Sequence, residues 1–144
     1  MIIQRPDGKT GELVLLFHGV GSCANDLVPL GATAANAMPQ AMVVSVNAPH
    51  PSSLGRGREW FSVLGVTEQS RRGRVAQATG AFVDAVAHWQ AEAGATPART
   101  TLIGFSQGAI MSLEAARLGP VLAGRIVSIA GRFFSAVPQN IPTS

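Results

Sequence analysis

One stretch constrains this chain more than any other: Thr100-Thr101-Leu102-Ile103-Gly104-Phe105-Ser106-Gln107-Gly108-Ala109-Ile110-Met111. Its opening, Thr101 to Ile103, is short, apolar and β-branched, which suits a buried strand. Gly104-Phe105-Ser106-Gln107-Gly108 then fits a G-x-S-x-G pattern. Beyond it, Ala109, Ile110, Leu113 and Ala116 recur at helical spacing, and Gly119-Pro120 predicts the stop. Strand, sharp turn and helix together form the context of a nucleophile elbow. A serine at such an apex occupies strained backbone, so the residues two positions away on either side must be nearly free of side chain. Gly104 and Gly108 satisfy that demand. The helix that starts there would aim backbone N–H groups at developing negative charge.

At 144 residues the chain is expected to form one domain, able to bury roughly 70% of its unfolded surface. Its 47% hydrophobic and 13% charged content favours strands covered on both faces by helices. No apolar run approaches the roughly 20 residues of a membrane span. The start, Met1-Ile2-Ile3-Gln4-Arg5-Pro6, lacks a basic region followed by an apolar signal stretch, so a cytoplasmic location is expected. Cys23 is the single cysteine, which excludes an internal disulfide and fits a reducing compartment. His18, His50 and His88 are scattered, so no metal site and no cofactor are expected. The net charge is only +3, with Arg71, Arg72 and Arg74 as the one tight basic group. Without interleaved aromatics this group reads as a solvated helix face and not as a nucleic-acid site.

In chain order, strands and helices alternate. Ile2-Ile3 suits a short edge strand before the turn Pro6-Asp7-Gly8-Lys9. Residues 12–17 form a second strand, followed by the glycine-rich loop His18-Gly19-Val20-Gly21-Ser22. Asn25 or Asp26 is expected to cap a helix reaching Met38, stopped by Pro39. Residues 41–46 form the next strand, and the Pro- and Gly-punctuated residues 47–65 a long loop that keeps Trp60-Phe61. The longest helix is expected from Thr67-Glu68 to Ala93, with Val75, Phe82, Val86 and Trp89 on one face and the arginines elsewhere. Gly73 and Gly80 each cost it about 1 kcal/mol against alanine, a cost that close packing on the sheet would explain. Gly94 ends it. Residues 125–130 make a last strand, and residues 131–144 show no convincing element. Such alternation implies a parallel sheet with helices on both faces, wound right-handed. In these sheets the site lies at the carboxyl ends of the strands. Three loops therefore converge on one rim: residues 18–22, residues 47–65 and the turn at Ser106.

Leu15-Leu16-Phe17-His18-Gly19-Val20-Gly21, Trp60-Phe61-Ser62-Val63 and Ile103-Gly104-Phe105-Ser106-Gln107-Gly108-Ala109-Ile110-Met111, in that order, resemble the phospholipase/carboxylesterase family of α/β-hydrolases. Within it they are most similar to the YpfH-type bacterial esterases. The resemblance implies hydrolysis of small carboxylic esters, or thioesters, through an acyl-serine intermediate. By the same matching Ser106 is the nucleophile, the backbone N–H groups of Val20 and Gln107 form the oxyanion hole, and Trp60 and Phe61 line the acyl side.

The chain also departs from that pattern. The triad of this fold runs Ser, then Asp or Glu, then His. After Ser106 there is no histidine and no aspartate, and Glu114 is the one acid. The expectation is a single partial α/β-hydrolase domain over residues 1–144, the first two-thirds of an esterase, lacking its C-terminal strands. His18 reads as loop support, His50 as a loop histidine near the rim, and His88 as structural. Without a base the serine hydroxyl is a poor nucleophile, so the chain alone is expected to be inactive or weak. An open sheet edge invites self-association or a complementing chain. The alternative is a non-catalytic hydrolase-fold remnant that acts as an interaction module through that edge.

Overall fold

The computed structural model of the protein describes residues 1–8, 11–118 and 121–129. Lys9 of the first turn, the stop at Gly119-Pro120, Ala130 and the tail over residues 131–144 lie outside the described residues. Seven strands and three α-helices are present among those described: β1 (Ile2–Gln4), β2 (Leu13–Phe17), α1 (Val28–Ala37), β3 (Met42–Val46), β4 (His50–Pro51), β5 (Arg58–Glu59), α2 (Glu68–Ala93), β6 (Thr100–Phe105), α3 (Gln107–Leu118) and β7 (Arg125–Ile129).

The main sheet has the order β1-β3-β2-β6-β7. Strands β3, β2, β6 and β7 run parallel, through pairs such as Leu15 with Val44, Leu15 with Leu102, and Leu102 with Ile126. The sheet is not wholly parallel. β1 pairs antiparallel with β3 and shifts register between Ile2 and Gln4. Only residues 5–12 link β1 to β2, too few for the crossover that a parallel placement beside these strands would need.

The chain moves from β2 to β3 on one side, then recrosses to β6 and β7 on the other. Crossovers of one hand then place α1 on one face and α2 with α3 on the opposite face. The core divides accordingly. Val14, Leu16 and Val43 pack with Leu30, Ala34 and Ala35 on the α1 side. Leu13, Leu15, Phe17, Val44 and Leu102 pack with Val75, Phe82, Val86 and Met111 on the other. Strand residues buried on both faces explain the continuous apolar runs in the sequence.

Local chemistry sets the helix ends. Thr67 caps α2 by accepting from the Ser70 N–H, Ser70 reaches back to the Thr67 backbone, and Gly94 ends the helix in the left-handed conformation at φ +66°. A serine thus fills the place usually held by Glu or Gln in a capping box. The start of α1 differs from expectation. Residues Ala24–Leu27 form a 3-10 turn, neither Asn25 nor Asp26 caps it, and α1 begins at Val28 with Pro29 in its first turn. Asp26 instead accepts from the Ser22 hydroxyl at 2.6 Å. Gly73 and Gly80 are exposed, and a Cβ at either would meet nothing within 4 Å. They do not serve close packing on the sheet. Inside the long loop, β4 and β5 form a small antiparallel hairpin.

Candidate active site

The carboxyl ends of the parallel strands lie level, with Phe17 opposite Val46 and Gly104, and Phe105 opposite Ile129. The three expected loops leave from this rim. Arg58 joins two of them: its carbonyl accepts from the Gly21 N–H at 3.1 Å, and its N–H donates to the Ser22 carbonyl at 2.8 Å.

Ser106 follows the end of β6 with φ +49°, the one described non-glycine residue at positive φ. It is exposed, and α3 begins at the next residue. The strain requires empty space on either side. A Cβ on Gly104 would fall 2.6 Å from the Ala109 backbone, and one on Gly108 would fall 2.3 Å from the Phe17 carbonyl oxygen. Both distances are below any real Cβ contact. The steric reading of the elbow holds on both sides.

A cavity of about 340 Å³ is bordered by Val20, Phe61, Val63, Arg71, Ser106, Gln107 and Ile110. Four of the expected site residues, Ser106, Val20, Gln107 and Phe61, thus meet around one space. Trp60 does not border it. It borders an adjoining cavity of about 370 Å³ with His50, Phe61, Ser62, Arg74, Gln77 and Ala78. The indole is buried against Phe82 in an edge contact with centroids 5.1 Å apart. Its Nε1–H is the one buried side-chain polar atom without a partner among the described residues.

Gln107 has a second part that sequence reasoning missed. Its buried side chain accepts from the Trp60 N–H at 2.7 Å and donates to the Phe61 carbonyl at 2.9 Å. One amide therefore ties the aromatic pair to the start of α3. No short-range signal announces a bond across 46 residues. The one clue is an amide, donor and acceptor together, beside the elbow serine.

His18 is only 1% exposed. Its Nε2 lies 3.0 Å from the Ala48 N–H, so that nitrogen must accept, which leaves Nδ1–H to donate to the Gly19 carbonyl at 2.7 Å. Both ring nitrogens are engaged, and neither is available to take a proton from Ser106. Burial lowers its pKa below the ordinary 6.5, against smaller raising contributions from the Gly19 bond and Asp26. The unfolded chain therefore binds the proton more readily than the folded one. Stability from this group is complete above the unfolded value and falls as pH drops through the folded value. Urea unfolding at about pH 7.5 and about pH 5.5 should show a loss of midpoint at the lower pH. That loss should shrink in His18→Asn; a variant with the same pH difference as the parent would contradict this role.

His50 is exposed and borders the Trp60 cavity, not the Ser106 cavity. His88 stacks edge-on against Trp89 on α2, with centroids 4.9 Å apart. Glu114 is buried in α3 and paired with Arg117 at 2.9 Å. Among the described residues no group of His, Cys, Asp and Glu could hold a metal ion. No described helix is long and apolar enough to cross a membrane.

The model of the family described as Phospholipase/Carboxylesterase matches residues 1–142. The chain belongs to this family. It is 42% identical over 143 residues to Esterase YpfH of Escherichia coli (strain K12), covering 99% of this chain and 61% of that protein. The crystal structure of esterase PE8 superposes with a TM-score of 0.80 at 33% identity, covering 87% of this chain and 60% of that one. A carboxylesterase from Mesorhizobium loti shares the fold at a TM-score of 0.67 and 23% identity, with 83% and 55% covered. The chain thus has the α/β-hydrolase fold of the family and spans about three-fifths of the length of these relatives.

Proposed function

We propose that the chain carries the acyl-transfer half of a serine carboxylesterase, with Ser106 as the residue that is acylated. The supporting observation is the placement of Ser106: exposed, at positive φ, at the start of α3, and bordering one cavity with Val20 and Gln107. In this reading the Ser106 hydroxyl attacks the carbonyl of a small ester or thioester. The backbone N–H groups of Val20 and Gln107 receive the charge that develops on oxygen. Each such donor is worth about 2.7–4 kcal/mol in a comparable site. Phe61 flanks the acyl chain, and Trp60 supports Phe61 from the adjoining cavity.

The proton acceptor is the missing element. His18 is fully engaged and His50 faces another cavity, and the sequence contains no histidine after Ser106. In a serine protease, loss of the histidine costs about a millionfold in turnover. The 144 residues alone are therefore proposed to hydrolyse esters weakly or not at all.

Hydrolysis of p-nitrophenyl butyrate by this chain and by Ser106→Ala tests the reading, with and without imidazole as an external base. Without imidazole the two rates should be close. With it, the parent should exceed the variant, whose rate carries the reaction of free imidazole with the ester. Equal rates in both arms would overturn the proposal. They would favour the second reading, an interaction module, for which the exposed Ile129 on β7, outermost among the described strands, is the supporting feature.

A further inference from the structure

Arg71 and Arg74, one helical turn apart on α2, are both half-buried, whereas Arg72 between them is exposed. Arg71 borders the Ser106 cavity, and Arg74 borders the adjoining one. Nη1 of Arg74 donates to the Ser62 carbonyl at 2.6 Å, which holds that guanidinium against the aromatic loop. Among the described residues, those bordering the two cavities include no carboxylate. Phe61 is the shared wall. Behind it the Gln77 amide also borders the adjoining cavity. Taken together, the two spaces have Ser106 at one border and Arg71, Arg74 and Gln77 along the α2 side.

We propose that the cleft beside Ser106 selects esters carrying an anionic oxygen group, a carboxylate or a phosphate, held by Arg71 with Arg74 behind it. A guanidinium matches the two oxygens of either group in a bidentate geometry. The charge sits on the portion of substrate that lies along α2, while the ester carbonyl lies over Ser106. This deepens the reading of Ser106 as the acylated residue, and its test is separable from that reading.

Succinate and methyl phosphate are titrated calorimetrically into the 144-residue protein, into Arg71→Gln and into Arg71→Lys. At least one anion should bind the parent, about tenfold more weakly in Arg71→Gln, with part of the affinity restored in Arg71→Lys. The anion that binds more tightly identifies the group. Failure of both to bind the parent, or equal affinity in Arg71→Gln, overturns the proposal. In a second arm, imidazole-assisted acylation of residue 106 by mono-p-nitrophenyl succinate is compared with that by p-nitrophenyl butyrate. The ratio should fall about tenfold in Arg71→Gln. Arg71-dependent anion binding with no acylation by either ester would sink the nucleophile reading and leave the anion site at Arg71 standing. Acylation with binding indifferent to Arg71 would do the reverse.

Discussion

Replacing Gly108 by valine is expected to abolish cooperative folding of this chain. Even the first carbon of a side chain there would lie 2.3 Å from the Phe17 carbonyl oxygen and 2.8 Å from the Phe17 Cβ. Neither neighbour can yield. Phe17 is 0% exposed, is fixed between β3 and β6, and packs on Phe82 with ring centroids 4.6 Å apart. To relieve the clash α3 would have to lift from the sheet, which would expose Met111 and Leu113. The expected loss is at least about 3 kcal/mol, enough to unfold a marginal domain. Gly80→Ala is the control. A Cβ there meets nothing within 4 Å, and the change should stabilise α2 by up to about 1 kcal/mol. Urea unfolding of the two variants beside the parent checks both directions. A Gly108→Val protein with a native-like midpoint would show that the elbow is not clamped on β2.

What the sequence revealed of the fold was whatever is decided by neighbouring residues. Thr67 and Gly94 mark the ends of α2 because capping and left-handed backbone are local needs. Residues 13–17 and 42–46 read as strands because both of their faces are buried, leaving no polar alternation to confuse the period. The elbow was legible for a similar reason, since two glycines around a serine record a steric demand made within five residues. The antiparallel pairing of β1 was not legible. Ile2 meets Val44 across the sheet, and three residues of strand carry no orientation signal.

The candidate site was readable in part. Level strand ends bring Val20, Phe61, Ser106 and Gln107 around one space, as the topology rule anticipates. The position of Trp60 one cavity over was hidden, because it depends on how the loop over residues 47–65 folds on α2 and on the Gln107 amide. Of the three arginines expected on a solvated face, Arg72 is exposed, whereas Arg71 and Arg74 are half-buried for the same reason. On a helix drawn alone, Arg71 and Arg74 fall off the apolar face and look solvated. Only the loop crossing above them, anchored by the Ser62 carbonyl, encloses that side. Gly73 and Gly80 illustrate the opposite error: a costly residue in a helix suggests a packing reason, and here the structure supplies none.

The second large effect concerns the reacting centre itself. A cysteine at residue 106 should accept an acyl group without the base that serine needs. A thiol has an unperturbed pKa of about 8.5, and a helix N-terminus lowers it, so a useful fraction is thiolate near neutral pH. The start of α3 is in place at residue 107, and the oxygen-to-sulfur change leaves the elbow glycines untouched. Cys23 is the chain's own cysteine, so Ser106→Cys is made together with Cys23→Ser. The measurement is the burst of p-nitrophenolate from p-nitrophenyl acetate, with mass spectrometry locating the acetyl group. The account predicts a burst of about one equivalent, slow turnover afterwards, and acetyl on the peptide that contains residue 106. No burst, or acetyl distributed over other residues, would contradict the claim that this elbow is an acyl-transfer site.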